Sequence, residues 1–354
     1  MRALRRLATF LLFIALALLG AGGAALYLVT RPHMGFQEEA LIDIPRGANA
    51  RSMAALLEQH GVVASRWHFL IARALRPRVF LQAGEYSFSK PATAIDIFDR
   101  IARGDVFYYE LKIPEGYNRF DIAAGVERAG IISAQDFLRA SLDPRLIRDI
   151  APDAPTLEGY LFPDTYRLTR HTTAADLCGL LTRRFRAAWA ELATTAPVHR
   201  TVTLASLVEK ETRVAEERPK VASVFANRLR IGMKLDCDPT VVYAALLSGR
   251  YRGTIYRSDL DSPHPYNTYR NAGLPPGPIA NPGAASLKAA IDPEETEFLF
   301  FVALPGGTGR HQFSKVAASH EAAVARYRRG QNNNKKQKAA PARVASGKKP
   351  RSRQ

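Results

Sequence analysis

Residues 7–30 form a run of 24 without a charged side chain, and nothing else constrains the chain as tightly. In hydrocarbon every backbone N–H and C=O must be satisfied internally, which a single stretch of chain achieves only as a helix. A helix of this length exceeds the ~30 Å core of a bilayer. Arg2, Arg5 and Arg6 precede the run. Their positive charge predicts one span, with residues 1–6 in the cytoplasm and the chain from about residue 31 exported. A cleaved signal peptide is the competing reading, because the small residues at 20–25 suit a cleavage site. The apolar run continues through Leu26, Tyr27, Leu28 and Val29, which favours the anchor.

After a linker at 31–40 the sequence repeats itself. Ile44-Pro45-Arg46-Gly47 recurs 69 residues later as Ile113-Pro114-Glu115-Gly116. At the same offset Ala54-Ala55 matches Ala123-Ala124, Glu58 matches Glu127, and Gly61-Val62-Val63 matches Gly130-Ile131-Ile132. Each copy reads as a strand, a turn, an amphipathic helix, a glycine stop and a second helix. Weaker echoes follow at Ala92-Thr93-Ala94-Ile95-Asp96 and Thr172-Thr173-Ala174-Ala175-Asp176. Residues 41–105 and 110–186 are therefore expected to be related mixed units. Units with a strand and two helices are similar to LysM, a glycan-binding module. A duplicated scaffold without a ligand explains the same pattern.

The net charge of +17 is concentrated at the ends. Residues 331–354 carry eight Lys or Arg and no acid, so 330–354 is expected to be a disordered basic tail. The remaining excess is scattered, without a basic–aromatic stripe, which argues against nucleic-acid binding. Cys178 and Cys237 lack metal-ligand spacing and read as two buried thiols. The eight histidines show no HExxH pairing, and neither a metal nor an organic cofactor is expected.

The chemistry concentrates in residues 201–330. A helix is predicted over about 202–213, capped by Thr201 or Thr203. Leu204, Leu207, Val208 and Glu211 share one of its faces, and Glu209 falls on another, expected to be exposed. A carboxyl on a buried apolar stripe has its pKa raised, as a general acid near neutral pH requires. The alternative is an ion pair with Arg213 or Arg218 at the helix end. A second helix is expected over about 219–231, a long ordered loop over 262–283, a hairpin from Phe298-Leu299-Phe300-Phe301-Val302 to His311-Gln312-Phe313, and a closing helix over about 315–329. Asp236 and Asp238, two apart, could share a strand face as further carboxylates. Glu158 and Asp164 are expected at a domain junction, and Glu217 and Arg218 in surface or helix-end pairs.

Val208-Glu209-Lys210-Glu211-Thr212, Val221-Ala222-Ser223-Val224-Phe225-Ala226-Asn227-Arg228-Leu229 and Asp238-Pro239-Thr240-Val241-Val242-Tyr243 resemble the YceG-like family. Tyr266-Asn267-Thr268-Tyr269, Gly273-Leu274-Pro275-Pro276-Gly277 and Leu157-Glu158-Gly159-Tyr160-Leu161-Phe162-Pro163-Asp164 extend that resemblance over about 40–328, in order. It implies an endolytic murein transglycosylase that cuts peptidoglycan strands between MurNAc and GlcNAc, leaves anhydro-muramic ends and limits nascent strand length. It maps the acid onto Glu211. It also implies contacts with wall-synthesis enzymes in the membrane. Asn227, Tyr266, Asn267, Tyr269 and Gln312 are the candidate sugar contacts, each with a structural role as its alternative. The expected fold is α+β: a membrane helix at 7–30, a LysM-like unit at 41–109, and a catalytic domain at 110–329. That domain would join a second mixed unit to a lysozyme-like helical core carrying a β-hairpin. The competing functions are a non-catalytic peptidoglycan-binding recruiter and a muramidase that hydrolyses the same bond.

Overall fold

The computed structural model describes the backbone of residues 2–339 and the side chains of 5–331. Helix α1 (Arg2–Thr30) holds the uncharged run, and its large apolar side chains from Leu7 to Leu28 are exposed. By length and composition it is the one described helix able to cross a membrane. The described residues divide into two compact units, one running to residue 110 and including 167–172, the other comprising 111–166 and 173–339.

In the first unit, β1 (Ala40–Ile44), α2 (Ala50–Gln59), α3 (Arg66–Leu75), β2 (Gly84–Phe88) and α4 (Ala94–Arg103) follow in order. β1 and β2 pair antiparallel, Ala40 opposite Phe88 and Ile44 opposite Gly84. Alternation along β1 turns Ile42 and Ile44 inward, where they join Leu57, Phe69, Tyr86 and Phe98 in one core. The helices start where short polar side chains can bind their first free N–H groups: Asn49 for α2, Ser65 for α3 and Thr93 for α4.

The same plan then recurs as β3 (Tyr109–Lys112), α5 (Arg119–Arg128), α6 (Ala134–Ala140), β4 (Thr165–Leu168) and α7 (Ala174–Glu191), with β3 and β4 paired. The division between the units falls within β3 and β4. Helix α5 starts and ends 69 residues after α2, on Asn118 in place of Asn49. Thr173 and Asp176 cap α7 with the same reciprocal bonds that Thr93 and Asp96 make at α4.

The second unit continues with α8 (Val198–Glu211), α9 (Arg218–Arg230), α10 (Asp238–Leu247), α11 (Arg257–Leu260), α12 (Ala284–Ile291), the hairpin β5 (Phe300–Ala303) and β6 (His311–Ser314), and α13 (Ala317–Ala339). Helix α13 runs ten residues past the expected end of the fold at 329, so the first part of the basic segment is helical. Residues 340–354 lie outside the described residues. Cys178 and Cys237 are buried and unpaired. The molecule is thus mixed α+β with small two-stranded sheets.

Candidate active site

The site is organised by α8, which packs against α9, α10 and α12. Every residue from 201 to 208 is buried, so this helix is surrounded. It starts earlier than expected, after Pro197 and without a side-chain cap. Thr201 and Thr203 lie inside it, and Thr203 Oγ1 donates back to the His199 carbonyl at 2.7 Å. Ser206 Oγ accepts the Ile279 N–H at 3.1 Å and so ties the 262–283 loop to the helix. Thr212, in an extended conformation, ends the helix immediately after Glu211.

Glu211 is half-buried, beside Leu204, Leu207 and Val208 as the face argument requires. Burial is the strongest influence on its carboxyl and raises the pKa. A hydrogen bond with Cys237 opposes the rise, Asp238 adds to it, and His311 and Arg228 oppose it. A desolvated carboxyl keeps its proton at higher pH than an exposed one, while nearby cations stabilise the carboxylate left once the proton departs. The arrangement can therefore both give and take a proton.

Each of these neighbours is itself fixed. Arg228 Nε donates to the Leu299 carbonyl at 2.6 Å and its Nη1 to the Leu235 carbonyl at 2.8 Å, with the guanidinium 5.4 Å from the Phe300 ring centre. Asp238 opens α10 and accepts the Tyr269 hydroxyl at 2.6 Å. Asp236 does not share a strand face with it: Asp236 has a left-handed backbone (φ 47°) and lies 3.8 Å from Arg228. Of the two alternatives for Glu217 and Arg218 the helix-end one holds: both pair at the start of α9, and neither on the surface. Glu217 is buried against His311, and the Arg218 side chain is 11% exposed.

Glu209 departs from the expectation of an exposed face. Its side chain is 6% exposed, accepts the Gly283 N–H at 3.0 Å, and lies 3.4 Å from Arg218. The helical angle between the two glutamates is as the sequence requires, but a helix packed on several sides has no solvent face at that position. Glu209 holds the start of α12. A cleft of about 440 Å³ borders it, lined by Glu115, Tyr117, Asp121, Lys210 and Arg213 among others. Glu158 is 1% exposed and accepts from the Arg119 N–H, the Tyr243 hydroxyl and Asn281 Nδ2. Asp164 pairs with Arg184 at 2.8 Å.

The candidate sugar contacts divide. Asn227 spends its amide N–H groups on the Thr296 and Phe298 carbonyls, at 2.8 and 3.1 Å, joining α9 to the segment before β5. Asn267 is fully buried, with its amide spent on the Asp259, Leu260 and Ser262 carbonyls. Tyr266 is buried with its ring against Tyr243. These three build the scaffold: the two amides satisfy carbonyls of segments without regular structure, and Tyr266 fills core space. Tyr269 and Gln312 remain partly exposed, Tyr269 on Asp238 and Gln312 bonded to Arg326 at 3.0 Å. From the sequence, Arg228, Cys237 and His311 were not candidates for the site; Cys237 was expected only as a buried thiol. Arg228 and His311 stand in segments noted there, but their convergence on Glu211 brings together residues up to a hundred positions apart.

The sequence profile of the YceG-like family matches residues 42–326. An endolytic murein transglycosylase of Bacillus subtilis is 31% identical over 331 residues, which cover 86% of this chain and 90% of that protein. One from Streptococcus pneumoniae is 29% identical over 335 residues, covering 83% of this chain and 60% of the longer relative. The crystal structure of a YceG-like protein from Listeria monocytogenes superposes with a TM-score of 0.52 at 31% identity, over 81% of this chain and 99% of that one. With the profile matching most of its length, the chain belongs to the YceG-like family.

Proposed function

We propose that this protein is an endolytic murein transglycosylase that cuts peptidoglycan glycan strands between MurNAc and GlcNAc, with Glu211 as the single acid and base. The observation that carries the assignment of roles is the half-buried Glu211, its pKa raised chiefly by burial, among Arg228, His311, Cys237 and Asp238. The relatives named as endolytic murein transglycosylases support the reaction. Glu211 gives its proton to the glycosidic oxygen as the bond to the anomeric carbon breaks. The C6 hydroxyl of the muramic sugar then closes on that carbon and returns its proton to Glu211. The product carries an anhydro-muramic end and no water is consumed. Of the candidate sugar contacts, Asn227, Tyr269 and Gln312 are partly exposed, and Asn227 has its amide N–H groups spent on the Thr296 and Phe298 carbonyls, which leaves Tyr269 and Gln312 for the role.

The β1–α2–α3–β2 unit is the LysM-like glycan-holding module of this reading, and the α8–α12 helices with the β5–β6 hairpin its lysozyme-like core. Helix α1 is the single-pass anchor in the cytoplasmic membrane. The arginines before it keep the N-terminus inside and both units outside, within reach of membrane-bound wall-synthesis enzymes. A reporter fused after Gln354 should be active only when exported, and activity of a cytoplasm-only reporter would reverse the topology.

The deciding experiment is mass spectrometry of products from purified glycan strands. Wild type should release anhydro-muramic ends. Glu211→Gln, which keeps the shape, should fold, bind glycan and lose ~100- to 10,000-fold in rate. Reducing ends would instead establish the muramidase reading, with Asp238 the carboxylate to examine because it lies close enough to Glu211 to raise its pKa. Binding without cleavage by wild type would establish the recruiter.

A further inference from the structure

The first unit is fastened directly to the end of α1. Residues 5–24 of that helix are exposed, Ala25 is partly buried, and Val29 is fully buried in the core that Ile42, Leu57 and Phe98 help to build. Helix α1 packs on α3 and α4. No loose tether follows it: His33 and Ala92 exchange backbone hydrogen bonds at 3.0 and 3.2 Å, and the Gly35 N–H donates to the Gly61 carbonyl at 2.8 Å. The uncharged part of α1 that stands clear of the unit is therefore 7–24, which reaches about 27 Å at 1.5 Å per residue. A bilayer core is ~30 Å thick. With α1 across the membrane, tilt only shortens that reach, and the unit is drawn onto the lipid surface.

Helix α3 suits such a surface. Beyond α1, the three most exposed large apolar side chains among the described residues are Phe80 at 88%, Trp67 at 66% and Leu75 at 60%, all on α3 or the segment after it. By helical spacing Trp67, Ile71, Ala74 and Leu75 share one face, while Phe69 and Ala72 join the core on the other. A helix at a water-facing surface carries polar side chains opposite its core face, and α3 does not. Residues 66–80 also hold four arginines and no acid. Arg66 pairs with Glu58, Arg76 with Asp99, and Arg73 donates to the Arg76 and Val79 carbonyls, while Arg78 is exposed. On α1 itself Tyr27 is exposed, with the Arg31 guanidinium 6.0 Å from its ring centre. Trp and Tyr rings and long basic side chains favour the boundary between headgroups and acyl chains.

We propose that the outward face of α3, together with Phe80, is a membrane-docking surface seated in the leaflet from which α1 emerges, so that the first unit rides on the bilayer and does not swing on a tether. The inference rests on the reading of α1 as a membrane anchor. The occupant is lipid: Trp67, Leu75 and Phe80 enter the boundary of the acyl chains, and Arg78 meets headgroup phosphates.

Trp189→Phe leaves Trp67 as the one tryptophan of the full chain. This chain would be reconstituted into vesicles of phosphatidylethanolamine and phosphatidylglycerol, with or without bromine on the upper part of the acyl chains. An interfacial side chain sits ~5–10 Å into the headgroup and acyl boundary, so brominated lipid should lower Trp67 emission at least about twofold, and iodide in the water should not. Leu75→Ser with Phe80→Ser removes the other two apolar contacts, both of them outside the core. That variant should keep its thermal unfolding and its flotation with the vesicles at alkaline pH, and lose about half of the bromine quenching or more. Quenching that the variant leaves unaltered would overturn the inference. Trp67 quenched by iodide and not by bromine faces water, and Trp67 protected from both is covered by protein. Either result also overturns the docking, while flotation keeps the anchor. A chain that does not float with the vesicles loses the anchor and the docking together.

Discussion

The two copies of the repeat share one local design and put it to different uses. In the first, the turn Pro45-Arg46-Gly47 is exposed, and α2 starts on the exposed Asn49. In the second, Gly116 is buried: its N–H donates to the Asn281 carbonyl at 2.9 Å and its carbonyl accepts Lys210 Nζ at 3.2 Å. Glu115 lies 3.5 Å from Arg218, which also reaches Glu209. Asn118 is 7% exposed, and Glu158 adds a buried carboxylate to the N–H at the start of α5. A motif that merely shapes a turn in one copy braces the end of the helix that carries Glu211 in the other. Local sequence specifies the turn; what packs on it specifies its use.

Four experiments test this contrast, beginning with the largest expected effect. Burial pushes the Glu158 carboxyl up to about 7 from an ordinary 4.5. The native state therefore holds this proton more tightly than the unfolded chain. The stabilisation is present in full below the unfolded value and is lost as pH rises through about 7. Between pH ~4.5 and ~8 the group should remove about 3 kcal/mol from the stability of the second unit. Trp189 reports on that unit once Trp67→Phe silences the first. Glu158→Gln should flatten the profile, and an equally steep profile would place the titration elsewhere.

Next is Arg218→Gln, which leaves Glu115 and Glu209 facing each other without their cation. Urea unfolding should show a loss of about 2–3 kcal/mol, less than for a fully buried pair because Glu115 is half-exposed. Arg46→Gln, at the exposed turn position that matches Glu115 in the first copy, should stay within about 0.5 kcal/mol. Equal effects would erase the contrast.

The helix caps give a smaller difference. Asn49 and Asn118 each accept two backbone N–H groups, but only Asn118 is buried. Asn118→Ala should cost about 2 kcal/mol and Asn49→Ala about 1 or less. The smallest contrast is at the turn glycines. Gly47 and Gly116 have φ of 81° and 77°, and a side chain at Gly116 would meet Glu209 Cγ at an ordinary 3.5 Å. Alanine at either should cost about 1–2 kcal/mol of left-handed strain. A much larger loss at Gly116 would mean that its packing against α8 tolerates no added atom.

What the sequence determined by itself was whatever depends on neighbours along the chain. The uncharged run prescribed α1, the 69-residue repeat prescribed the matching positions of α2 and α5, and the apolar stripe placed Glu211 on a packed face. Helical spacing also set Glu209 apart from Glu211, yet not in solvent. Periodicity gives the angle between side chains but cannot count the helices around them, and α8 is packed on several sides. The Thr201 and Thr203 caps failed for a related reason: burial let the helix start after Pro197 without a side-chain cap. Only the tertiary structure could show that Asn227 and Asn267 are spent on carbonyls of other segments or of the loop's own folded path, and that Tyr266 is packed into the core. It alone brought Arg228, Cys237, Asp238 and His311 to one carboxyl. A proton affinity is set by distance through space, and the sequence carries no record of which distant residues fold to within reach.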